Sequence, residues 1–155
     1  MRSGGEGGWR SLAVHLVAVV GLALATNGLI FGLGWAVPSG DAPTSRLAPP
    51  GWVVGAAWTV LFALLAFARW RLDRPATATA RGWVTALIAS CLAYPFYALA
   101  PGSRAAAWAG NLATIALAAY VDRRVWPADR PAAACVAPIV PWVAFATATI
   151  LAGWG

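Results

Sequence analysis

Ser90, Tyr94 and Asn111 are polar side chains set inside apolar runs, and Thr26, Asn27, Trp58 and Trp142 share that setting. Hydroxyl, amide and indole groups can orient a ligand through hydrogen bonds, but they are feeble acids and bases. Every Asp and Glu falls outside the apolar runs, so the sequence offers no carboxylate pair, proton relay or metal cluster there. His15 is the only histidine and lies near the start of the first apolar run, where it reads as an interfacial or hydrogen-bonded residue rather than a metal ligand. Cys91 and Cys135 lack metal-ligand spacing and read as small buried apolar residues. No Gly-rich phosphate loop follows a strand. These residues suit binding better than acid–base or nucleophilic catalysis, and no cofactor or metal is expected.

The elements that must position them follow from composition. The chain is 61% hydrophobic and only 10% charged, whereas a soluble domain carries about 25% charged residues. Too little charge is present to coat a water-facing surface, so the expected solvent is lipid. The formal charge of +6 is carried entirely by arginines in short segments between apolar runs. A nucleic-acid binder would instead gather them on one face of a polar domain, so nucleic acid is not an expected partner.

Runs of about 20 apolar residues cross a bilayer as helices, because backbone polar groups must pair internally there. Five such runs are predicted, at about Ser11–Gly34, Gly51–Trp70, Gly82–Leu99, Ala105–Val121 and Ala132–Ala152. The expected fold is an all-α integral membrane bundle of five transmembrane helices, forming one domain over residues 1–155. The first run is longer than a signal-peptide core and no convincing cleavage site follows it, so it is kept as a membrane helix. Arg2, Arg10, Arg69, Arg71, Arg74, Arg81, Arg123, Arg124 and Arg130 fall on one side of this topology, against Arg46 and Arg104 on the other. The positive-inside rule then places the N-terminus in the cytoplasm and the C-terminus outside.

Eight of the ten tryptophans, Trp9, Trp35, Trp52, Trp70, Trp83, Trp108, Trp126 and Trp154, lie at or near run ends, where an indole keeps its N–H among headgroups while burying its ring. Trp58 and Trp142 are different: they lie seven and ten residues from the outer ends of helices two and five. Thr26, Asn27, Ser90, Tyr94 and Asn111 fall at similar depth, in the outer half or near the midplane. A shared depth is what a pocket requires, yet the same groups would equally serve as interhelical hydrogen bonds. Spacings of three and four put Trp58 with Phe62 on one face, Trp142 with Phe145, Ala146 and Thr149 on another, and Ser90 with Tyr94 and Tyr97 on a third. Such faces suit either packing or a flat apolar ligand. Pro95, Pro138 and Pro141 each remove a helix hydrogen bond and can open a gap in a span.

Two stretches carry a family resemblance. Pro49-Pro50-Gly51-Trp52-Val53-Val54-Gly55-Ala56-Ala57-Trp58-Thr59-Val60-Leu61-Phe62 resembles the loop-to-second-helix signature of the TspO/translocator protein family of tryptophan-rich sensory proteins. Pro138-Ile139-Val140-Pro141-Trp142-Val143-Ala144-Phe145-Ala146-Thr147 resembles that family's fifth-helix motif. With the helix number and length, the resemblance covers essentially the whole chain. It implies a five-helix bundle, often dimeric, with a ligand cavity capped by the first long loop, in a bacterial cell membrane. It also implies ligands of the porphyrin, haem-like, sterol and benzodiazepine classes, with Trp58 and Phe62 on one wall and Trp142, Phe145 and Ala146 on another. Asn111 aligns with an acidic residue common in the family's helix four. The chain departs from the pattern at Thr44–Ala48, where Lys-Pro-Trp is usual, and at Ser90 and Ala93, where Asn and Trp are common. It departs again at Ile139 and at Thr149-Ile150, where the family has Tyr and Leu-Asn.

The resulting expectation is a membrane binding protein, sensor or transporter, for a hydrophobic small molecule such as a tetrapyrrole, sterol-like or isoprenoid compound. The ligand-binding residues are expected to be Trp52, Trp58, Phe62, Ser90, Tyr94, Asn111, Trp142, Phe145 and Ala146. The alternative is a membrane enzyme that isomerises, cyclises or oxidatively degrades a lipophilic substrate in the same cavity. A structural partner for other membrane proteins is a third reading. The expected surroundings are the bilayer and, in the family's manner, a second copy of the chain.

Overall fold

Apolar length and proline placement decide where helices start and stop. A computed structural model describes residues 5–35, 49–99 and 103–152, with the side chains of 5–7, 98, 99 and 104 left aside. Arg2, Arg46, Trp154 and the Thr44–Ala48 loop lie outside the described residues. Helix α1 spans Gly5–Gly32, α2 Gly51–Arg71, α3 Ala78–Tyr94, α4 Arg104–Val125, α5 Arg130–Val136 and α6 Ile139–Ala152. The described residues are otherwise turns, including a short 3₁₀ turn at Pro75–Thr77 and a π-helical turn at Pro95–Leu99.

Local chemistry accounts for the boundaries. Pro50 precedes α2, and Ser103 caps α4 by accepting the Ala106 N–H at its Oγ over 3.2 Å. Asp129 caps α5 in the same way, accepting the Ala132 N–H at Oδ1 over 2.9 Å. The span predicted as one helix over Ala132–Ala152 is two pieces, because Pro138 has no N–H to continue the ladder. Pro95 acts similarly at the end of α3, where the chain widens into the π turn instead of stopping. The first and third helices begin several residues earlier than the apolar runs suggest, since polar first turns are tolerated outside lipid.

Among the described residues, three helical segments are long and apolar enough to cross a membrane: Gly8–Gly32, Gly51–Arg71 and Arg130–Ala152, the last joining α5 and α6. Helix α3 alone has 17 residues, and α4 ends in the charged run Asp122-Arg123-Arg124, so neither meets the same standard. Five spans were expected; three are supported by length and composition.

Packing follows the distribution of side-chain size. Helix α1 lies against α2, α2 against α5 and α3, and α4 against α3, α5 and α6. At the junctions sit Ala66, Ala68, Ala118, Ala132 and Ala133, all fully buried, with Leu65, Leu72, Leu87 and Ile139 filling the space between them. Small residues let helices approach closely where lipid supplies no hydrophobic drive between them. Large apolar side chains point outward instead, as at Val17, which is 74% exposed, and at Val14, Phe31 and Val60. Such an apolar exterior would be an aggregation hazard in water, and it is ordinary surface in a bilayer.

The two ends of the bundle differ in charge. At one end Asp129, only 8% exposed, accepts from Arg71 Nε at Oδ1 and from Arg74 Nη2 at Oδ2, each over 3.0 Å. Burial alone would raise its pKa. Hydrogen bonds from Arg71 and the Ala132 N–H, with the charges of Arg71 and Arg74, outweigh that and hold the carboxyl below its ordinary value. Arg81 pairs with Asp73 nearby. The opposite end is uncharged among the described side chains and is bridged by Trp35 at the close of α1 and Phe96 in the π turn, whose rings meet edge to face at 5.8 Å.

Candidate ligand-binding site

The π turn makes the most informative local geometry. It carries Tyr97 off the end of α3 and over α4, where the ring lies so close that a Cβ on Gly110 would fall 2.5 Å from Tyr97 Cε2. Gly110 is therefore where α4 admits an aromatic ring against its backbone. Tyr94 meets Tyr97 edge to face, with centroids 5.6 Å apart. The Thr114 hydroxyl donates to the Gly110 carbonyl, one turn back, over 2.8 Å. Ser90 lies one turn before Tyr94, half-buried beside the buried Cys91.

Asn111 occupies the centre of this polar stretch. It belongs to the buried stripe of α4 that includes Ala107, Gly110, Thr114, Ala118 and Val121. The residue is 4% exposed, and its buried amide Nδ2 has no hydrogen-bond partner among the described residues. Thr114, also buried at 3%, solves the same problem by bonding back to its own helix. An unpaired buried amide costs about 1–3 kcal/mol. Among the described residues no acceptor offsets that cost.

The aromatic walls are placed on α2 and α6. Trp58 and Phe62 face each other on α2 with centroids 5.7 Å apart, Phe62 buried and Trp58 packed against the core. Trp142 and Phe145 pair on α6 at 6.0 Å. Between the two helices runs an apolar groove of about 660 Å³, lined from α2 by Ala57, Val60, Leu61 and Leu64, and from the other side by Pro138, Pro141, Trp142 and Phe145. The proline pair thins the α5–α6 junction and leaves this concavity. Trp58, Phe62, Ser90, Tyr94 and Asn111 are absent from its lining, so neither the Trp58–Phe62 pair nor the polar stretch of α3 and α4 shares it. Ala146 follows Phe145 half-buried, and Trp52 stands 75% exposed in the first turn of α2.

Other candidates have local roles. His15 Nδ1 lies 2.8 Å from the Ser11 carbonyl oxygen, a bond within its own helix. Thr26 and Thr59 likewise donate to carbonyls one turn back. Among the described residues no three His, Cys, Asp or Glu side chains gather as a metal site. Sequence reasoning passed over Gly110 and Thr114, although their spacing on either side of Asn111 was a usable signal. It also left Tyr97 out of the expected site, because an α-helical continuation past Pro95 gives no hint of the π turn.

The sequence model of the TspO/MBR family matches residues 13–154, nearly the whole chain. No curated protein and no solved structure matches it.

Proposed function

This chain belongs to the TspO/MBR family, and from that premise we propose that it is a membrane protein binding a hydrophobic small molecule of the tetrapyrrole, sterol-like or isoprenoid kind, as a sensor or transporter. The observation that carries the reading is the Asn111 amide, buried and unpaired among the described residues. The groove of about 660 Å³ between α2 and α6 supports it, since small-molecule sites run to about 300–1,000 Å³ and are mostly apolar with few polar groups. In this account Trp142 and Phe145 supply apolar contact along the groove, while Asn111, which lies outside the groove lining, donates to a ligand acceptor and Ser90 and Tyr94 offer further hydroxyls beside it. Trp58, Phe62 and Ala146 back the walls, and Trp52 stands at the outer rim.

The same reading takes the chain as one five-span domain. Helix α3 with its π turn, and the 22-residue α4, are each about 33 Å long by helical rise or close to it, against a hydrocarbon core of about 30 Å. The arginine-rich end then faces the cytoplasm of a bacterial cell, with the N-terminus on that side. A second copy packed on the apolar exterior completes the arrangement. The test is a titration of protoporphyrin and of a sterol into the protein in detergent, followed by ligand absorbance and by the shift in unfolding midpoint. Saturable binding by the parent, weakened when Trp58→Phe and Trp142→Phe are combined, is expected. Unchanged binding in the double variant would remove the pocket assignment.

A further inference from the structure

A second concavity, remote from the aromatic groove, opens at the arginine-rich end. It has a volume of about 620 Å³ and is lined by Arg71, Arg74, Trp126, Asp129 and Arg130 with the adjoining turn. Three guanidinium groups offer far more donors than one carboxylate can accept. Asp129 Oδ1 takes Arg71 Nε and the Ala132 N–H, while Oδ2 takes Arg74 Nη2. Among the described residues, both Nη groups of Arg71 and the whole guanidinium of Arg130 have no hydrogen-bond partner. Arg130 is held instead over the Trp126 ring, 5.8 Å from its centroid.

Asp129 thus fixes two arginines in place without neutralising the groove. The lining keeps net positive charge, three guanidinium groups against one carboxylate. Guanidinium forks match phosphate oxygens in pairs. Trp126, about half exposed, marks the depth of lipid headgroups. The geometry points to a binding site for a phosphoryl group of net negative charge, carried on an anionic phospholipid headgroup or on a soluble phosphate ester. Basic pockets between helix ends take up anionic headgroups by this chemistry.

The experiment uses the full chain in a neutral detergent at matched ionic strength. Short-chain phosphatidylglycerol, short-chain phosphatidylcholine and inorganic phosphate are titrated separately, and the apparent unfolding midpoint is read. Phosphatidylglycerol is expected to raise the midpoint saturably and phosphatidylcholine to leave it flat. Arg130→Gln removes one charged donor set without touching the Asp129 pairs, and should raise the half-saturating concentration by about tenfold, with Arg130→Lys intermediate. Arg124→Gln is the control, because Arg124 bonds the Tyr120 hydroxyl and lies outside the groove; it should titrate as the parent does. A response to inorganic phosphate with the same dependence on Arg130 assigns soluble esters, and a response to phosphatidylglycerol alone assigns the lipid. Absence of any saturable response, an equal response to phosphatidylcholine, or equal weakening by Arg124→Gln and Arg130→Gln would overturn the proposal.

Discussion

Asp129 and Asn111 pose the same physical problem at different depths of the bundle, and the chain treats them differently. The Asp129 carboxylate is surrounded by Arg71, Arg74 and the Ala132 N–H, so both its oxygens are occupied and an α5 cap is formed in the same stroke. The Asn111 amide has its Nδ2 buried with no partner among the described residues, although Thr114 on the next turn is satisfied within its own helix. A fully paired buried polar group holds structure together; an unpaired one at comparable burial is a cost borne by the ligand-free protein. The first region therefore reads as a structural lock, and the second is where we propose that a ligand acceptor binds.

Breaking the lock should have the largest effect. Asp129→Ala removes the helix cap and leaves Arg71 and Arg74 without their counter-charge, with an expected loss of about 3 kcal/mol, read as a lower apparent unfolding midpoint. A midpoint equal to the parent's would mean that the network is decoration. Next comes the close approach beside the open amide. Gly110→Ala puts a Cβ against the tip of the Tyr97 ring, and because that ring is 38% exposed and can swing aside, the cost is expected at the low end of overpacking, about 1 kcal/mol. Because the clash is with one side chain, the same substitution in a Tyr97→Ala background should be nearly neutral. A cost that persists there would place the strain in the helix contact itself.

Acid titration sharpens the contrast with the smallest effect. The Asp129 carboxyl is held below its ordinary value, so its contribution to stability is fully present above about pH 4. It is lost as pH falls through the lowered, folded-state value. Asp129→Asn should make the acid branch of the stability curve shallower, whereas substitution at Asn111 should leave its slope alone. Midpoints measured between neutral and strongly acid pH decide this.

Much of the architecture was legible because helices in lipid are set by apolar length, which is a local property of the chain. Pro95 and Pro138 were readable as places where a missing N–H could kink a span, but each run was expected to continue as one helix, and neither the π turn nor the α5–α6 split was expected. The Asp129 network was not, since its arginine partners lie 58 and 55 residues away in sequence. Arg71 and Arg74 registered only as orientation charges. Asn111 was recognisable as a buried polar residue from polarity and depth, while its unpaired amide depends on what the helices packed on α4 bring beside it. Trp58 and Trp142 looked equivalent by depth, yet only Trp142 lines the groove, because helical phase against a neighbour decides which face of an aromatic ring meets open space. The five-span count went further than the helices themselves support, as α4 carries its charged end inside the helix.

Asn111→Leu tests the central claim most directly, because it removes the amide while keeping about the same volume. Ligand titration and ligand-free unfolding are measured on the same preparation. The account predicts an unchanged or higher midpoint without ligand, since an unpaired buried group has been removed, together with affinity for the apolar ligand weakened by about tenfold. A lower midpoint with unaltered affinity would contradict it and make Asn111 a packing residue.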